Sequence, residues 1–144
     1  MREQTHLTDE LLEGIMRAST AQDAAGLAQT GAPDLPGFLN EKLEERGLRR
    51  IDVVHAANLN ETFGYQIFTG ARRPSRDKVL ALAFALGLDL RETQRLLSLA
   101  DAGSLYSKNR RDAIIIFEIC HGHDLACADA DLYRFGERTV SDEG

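Results

Sequence analysis

The chain is 144 residues long, 43% hydrophobic, and carries a net charge of −6, which suits one compact domain with appendages and a core of useful size. No run of about 18 apolar residues occurs, so no membrane span is expected. The acidic N-terminus lacks the apolar stretch of a secretory signal, which points to a cytoplasmic protein.

Charge is unevenly spread. Residues 1–35 hold 2 basic and 6 acidic side chains, residues 36–100 hold 10 and 8, and residues 101–144 hold 5 and 9. Only the middle is basic, and the overall acidity argues against an indiscriminate polyanion binder.

Helical signals dominate, with little β-branched alternation, so the chain reads as all-α. Thr8 can cap a helix through about Ala18, with Leu11, Leu12, Ile15 and Met16 on one face. Thr20 and Asp23 can cap a second, and "TGAPDLPG" then breaks the chain, which sets residues 1–35 apart as an acidic helical extension. Five short helices follow over residues 36–100, spanning about 37–46, 50–57, 60–69, 75–86 and 89–99. Gly47, Gly70 and Gly87 supply left-handed stops, and Asn58 is the next best residue for that conformation. Ser75 and Asp89 are N-caps, the latter in a capping box with Glu92. Residues 101–144 hold the apolar helix "RRDAIIIFEICHG", a weaker helix "DLACADADLYRFGE" and a tail expected to fray.

Residues 47–97 resemble the helix-turn-helix domain of Cro/repressor-type (XRE-like) bacterial regulators. The likeness rests on Arg46-Gly47, Val53, the turn before Leu59, Ile67, the "G-x-R-x-P-S" run from Gly70 to Ser75, and "LALAFALGLDL". It implies a five-helix repressor-like domain with flanking N- and C-terminal helices. In that family a small residue of the second helix faces a Val or Ile of the third. Here Val54 and Gly64 stand at those places, so the volumes are exchanged and Gly64 is expected to make room for Val54. Arg49 replaces the usual Ser or Thr cap.

By the family register, Asn60, Glu61, Thr62, Tyr65 and Gln66 face the DNA major groove, while Phe63 and Ile67 point inward. Gln66 can read adenine, Glu61 can accept from cytosine N4, and Thr62 can touch a base edge or a thymine methyl. Arg50, in place of a glutamine that touches phosphate, and the cluster Arg72, Arg73 and Arg76 with Lys78 can hold the backbone. A rival reading treats the cluster as a solvated surface and the fold as a protein-interaction module, antitoxin-like or regulating a partner enzyme, as the acidic flanks and Glu61 suggest.

"CHGHDLAC" places Cys120, His121, His123 and Cys127 around one helix end, too crowded for a tetrahedral ligand set, so no metal or other cofactor is expected and the thiols are read as buried. His6 and His55 stand alone. No phosphate loop or nucleophile motif is present, so no enzyme is expected. The expectation is therefore a DNA-binding transcriptional regulator acting on double-stranded DNA. The Ile114–Ile119 run can pair subunits in a homodimer or lie wholly within the monomer.

Overall fold

The computed structural model describes residues 34–141. The two helices expected before Pro33, His6 and the last three residues of the tail lie outside them. Seven α-helices and no strand occur among the described residues: α1 (Leu35–Arg46), α2 (Arg50–Ala56), α3 (Glu61–Thr69), α4 (Arg76–Leu86), α5 (Leu90–Leu99), α6 (Arg110–Cys120) and α7 (Leu125–Arg134). The fold is all-α, and none of these helices is long and apolar enough to cross a membrane.

Local chemistry explains the boundaries. Asp34 accepts from the Gly37 amide at 2.8 Å and Pro36 sits in the first turn, where no N–H is needed. That cap starts α1 two residues before the expected Gly37. Arg49 has the extended backbone of an N-cap but makes no capping bond. Its guanidinium instead grips Asp52 through two bonds of 2.8 and 3.2 Å, holding the Asp52 carboxyl below its usual range. Asn58 adopts φ 57°, and the following Leu59 amide returns to the Val54 carbonyl at 3.1 Å. This closes α2 with the left-handed turn expected of asparagine. Ser75 precedes α4 without a side-chain capping bond. Asp89 and Glu92 form a complete capping box.

Helix α4 is the centre. Residues Val79 to Phe84 are buried in unbroken sequence, as expected for a helix packed on every side. It contacts α1, α2, α5 and α7, while α3 packs on α1 and α2. Leu39, Ile67, Leu80, Leu82, Leu96 and Leu97 are among the fully buried side chains.

The crossing of α2 and α3 turns on Gly64. A Cβ at that position would lie 2.6 and 2.7 Å from the two Val54 methyl carbons, distances no packed pair adopts, and Val54 is itself only 2% exposed. The exchanged volumes are therefore complementary. Asn40 adds a second tie, donating to the Phe68 carbonyl at 3.0 Å and joining α1 to the end of α3.

The segment after Ala100 closes onto this core within a single apolar cluster that runs from Leu35 to Val140. Gln94 bonds both backbone groups of Leu105, at 3.0 and 2.7 Å. The Arg-Asp pairs that open α4 and α6 then cross: Arg76 binds Asp112 at 2.9 Å, and Asp77 binds Arg111 at 3.0 Å. Asp77 also holds Arg138 at 3.1 Å. Beyond it Val140 is buried, its amide bonded to Asp129 at 2.6 Å. The tail through Ser141 is thus packed rather than frayed, because α7 and α4 both supply carboxylates to it. Cys120 and Cys127 are exposed, contrary to expectation. The buried stripe of α6 is Asp112, Ile115, Glu118 and Ile119, which leaves Cys120 outside it. Ile114 and Ile116 are half-buried against the core, and Phe117 alone of the apolar run is exposed.

Two outcomes follow from this packing. Gly64→Val should lose more than about 1 kcal/mol through overpacking despite its better helix propensity, and adding Val54→Ala should recover most of the loss; denaturant midpoints of the singles and the double will show non-additivity. The second concerns Glu92, which joins α1 to α5 by accepting from Lys42 and Arg46, each at 2.9 Å. Partial burial alone would raise its pKa, but the bonds from Lys42, the Asp89 amide and Arg46 outweigh this and hold it at about 2, against an ordinary 4.5. Because the folded value is depressed, the contribution is complete above about pH 4.5 and lost as pH falls toward 2. Glu92→Gln should lower the melting temperature at pH 7, and the gap from wild type should close over that window.

Candidate nucleic-acid interface

Helix α3 has two unlike sides. Gly64, Ile67 and Phe68 are buried, whereas Glu61, Thr62 and Tyr65 are exposed and Gln66 is half-buried. At 3.6 residues per turn, positions 61, 62, 65 and 66 share one side, and they reach solvent because α1 and α2 hold the other. Ile67 points inward as expected, while Phe63 is half-buried at the margin.

Each candidate side chain has a definite environment. Asn60 accepts from the Phe63 amide at 3.1 Å, so its carbonyl oxygen caps α3. The Glu61 carboxylate is held by His55 Nε2 at 2.8 Å, both groups being exposed. His55, read as isolated, is thus a partner of this face. The pair straddles the turn at Asn58, where no helical spacing links positions 55 and 61, and so left no signal in the sequence. Thr62 is exposed, one turn before Gln66.

Arg50 lies with its guanidinium carbon 4.2 Å from the Tyr65 ring centroid. This cation–π contact aligns the start of α2 with the middle of α3. Together with Arg49, Ile51, Glu61 and Thr62 they line an open groove of about 530 Å³. At the other end, the Arg72 amide donates to the Gln66 carbonyl at 3.2 Å, folding the loop after α3 back along the helix. Pro74 is buried and anchors that loop. The Arg72 guanidinium and the Lys78 ammonium stand 5.9 and 5.3 Å from the Phe63 ring centroid. Arg73 is exposed.

Arg76 does not join them. Its guanidinium faces away, bonded twice to Asp112, at 3.1 and 2.9 Å, and to the carbonyls of Gly103 and Ser104. With Asp112 only 6% exposed, these four bonds commit four of the five N–H donors of Arg76 to the protein itself. The four-cation run in the sequence is therefore split, with Arg72, Arg73 and Lys78 kept near α3 and Arg76 given to the C-terminal segment.

No protein-family model, curated protein or solved structure matches this chain.

The split has a measurable consequence. Arg76→Ala leaves Asp112 buried without its cation and should cost about 3 kcal/mol of stability. Arg73→Ala, on open surface, should stay within about 0.5 kcal/mol of wild type. Thermal or urea unfolding of the two variants compares them directly.

Proposed function

We propose that the chain is a sequence-specific DNA-binding transcriptional regulator of the helix-turn-helix kind that residues 47–97 resemble, with α3 as the recognition helix in the major groove. The observation that carries this reading is the exposed side of α3, bordered by the guanidinium groups of Arg50, over Tyr65, and of Arg72, over Phe63, the latter carried on a loop that returns to the Gln66 carbonyl. Further support comes from the close α2–α3 crossing at Gly64 and from the left-handed turn at Asn58, which together hold the helix pair at a fixed angle.

In this reading Arg50, Arg72 and Arg73 neutralise phosphates and set register, while Thr62 and Gln66 meet base edges. Glu61 accepts from cytosine N4 after leaving His55, a choice that disfavours other bases because its charge otherwise faces a polyanion. Asn60 acts mainly through its cap, which presents α3 with its positive dipole end toward the backbone. The role is non-enzymatic.

Binding to a site selected from a random duplex pool tests the proposal. Replacing Arg72 and Arg73 together with alanine should weaken binding to all sequences and reduce the slope of log affinity against log salt by about 2, one unit per lost phosphate contact, with little change in preference. Gln66→Ala should cost about 1 to 3 kcal/mol on the selected site, flatten discrimination at one or two positions and leave the salt slope intact. A wild-type protein with no preferred site, binding weakly and only at low salt, would instead favour the interaction-module reading, in which the same face holds an acidic protein partner.

A further inference from the structure

The junction of α6 and α7, remote in sequence from α3, gathers side chains that DNA recognition does not use. Glu118 is fully buried, at 0% exposure, near the end of α6. One of its oxygens, Oε2, meets His123 Nδ1 in a hydrogen bond, while Oε1 is buried with no donor. Asp131, on α7, lines the same cavity as Glu118. Asp131 is itself an acceptor when ionised, and its exposed partner Arg134, at 3.4 Å, screens it little. An ionised carboxylate buried on such terms is costly unless a proton or a cation completes it.

The backbone positions these groups in advance. Gly122 turns left-handed at φ 69°, and the His123 amide returns to the Glu118 carbonyl at 3.0 Å, fixing the two residues side by side. The His123 ring meets Phe117 edge-on, with centroids 5.9 Å apart. Asp124 caps α7 by accepting from the Cys127 amide at 2.9 Å, which sets Cys127 in the first turn, beside the others. One ligand atom each from Glu118, His123 and Cys127 lies within 4.8 Å of the other two. Bonds of about 2.0 to 2.3 Å around a tetrahedral ion require donor separations of about 3.3 to 3.8 Å, so small side-chain adjustments suffice.

We propose that Glu118, His123 and Cys127 form a binding site for a divalent transition-metal ion of the zinc class, tying the end of α6 to the start of α7. A thiolate, an imidazole and one carboxylate suit zinc or cobalt and not magnesium or calcium, which take oxygen donors. Glu118, Asp124 and Asp131 surround Cys127 with negative charge. That charge attracts a cation, and a bound cation in turn stabilises the thiolate. Cys127 then binds as the thiolate, its proton and the one shared by His123 Nδ1 and Glu118 Oε2 both leaving to solvent, and the metal takes the place of that hydrogen bond. Cys127 is exposed, so solvent reaches the site and a water can serve as the fourth ligand. Cys120 and His121 stand outside the set: neither belongs to the group whose ligand atoms lie within 4.8 Å of one another, and His121 Nδ1 is bonded to the Phe117 carbonyl at 2.9 Å.

Cobalt(II) titration of the reduced, chelator-treated full chain tests this. One equivalent should produce a thiolate-to-cobalt charge-transfer band that zinc displaces, and the band should survive Cys120→Ser and vanish in Cys127→Ser. Losing a group that merely supports a ligand costs about 10- to 100-fold in metal affinity, so Glu118→Gln should cost at least as much. In the wild-type protein, stoichiometric zinc should slow alkylation of Cys127 and leave that of Cys120 unchanged, a comparison free of any folding defect in a variant. No band at one equivalent, a band that persists in Cys127→Ser, or equal zinc effects on the two cysteines would overturn the site. Glu118 would then keep His123 as its partner through Oε2 only.

Discussion

The contact between Gly64 and Val54 decides which residues α3 shows to solvent. With Val54 methyls where a Cβ would stand, α3 can seat itself on α2 only with its glycine down. A rotation by one residue turns a helix by about 100° and would drive Phe63 or Tyr65 into Val54. Asn40 fixes the far end through the Phe68 carbonyl, so both orientation and tilt are set. The row of exposed Thr62 and Tyr65 and half-buried Gln66 is thus a consequence of packing on the opposite side. The helix bears a penalty of roughly 1 kcal/mol for an interior glycine, less than the overpacking it avoids.

The second constraint is the crossed pairing of Arg76 with Asp112 and Asp77 with Arg111. It joins the N-terminal turns of α4 and α6, and Arg138 extends it into the tail. Since α4 is the buried centre, fastening its first turn also fixes the loop that carries Arg72 and Arg73 immediately before it. The C-terminal segment therefore stabilises the α3 surroundings, and its Arg138, Val140 and Ser141 border the start of α3 across a cavity shared with Asn60 and Phe63.

How much of this was legible depended on distance along the chain. The five helices between residues 36 and 100 could be read because their stops and caps are local: Gly47, Asn58, Gly70 and Gly87 take positive φ, and Asp89 with Glu92 forms the box its spacing implies. Gly64 was legible because ten residues and a short turn separate it from Val54. The partners of Arg76 and Arg111 were not, since they lie 34 to 36 residues away and any surface arginine looks alike in sequence. Glu118 was hidden for a related reason. It sits in an apolar run where an acid reads as the solvent side, yet its helix position places it on the buried stripe with Ile115 and Ile119. The tail looked free because Val140 shows its value only once Asp129 is seen beside it.

Net charge is a poor guide to the field at α3. Among the cations of α1 and the start of α2, Lys42 and Arg46 are paired with Glu92, and Arg49 with Asp52. Arg76 and Arg111 are paired with Asp112 and Asp77. Such pairs cancel within a few ångströms, and the remainder is screened over a Debye length of about 8 to 10 Å at physiological ionic strength. What a ligand approaching α3 meets is therefore local: Arg50 over Tyr65, Arg72 and Lys78 over Phe63, and Arg73 on the loop. Against these stands Glu61, held by His55. A chain of net charge −6 can carry cations beside α3 in this way, because among the described residues acids such as Asp52, Asp77, Glu92 and Asp112 answer internal cations. The same acidity discourages indiscriminate attraction to a polyanion, and in the proposed reading it leaves discrimination to the few groups that α3 exposes.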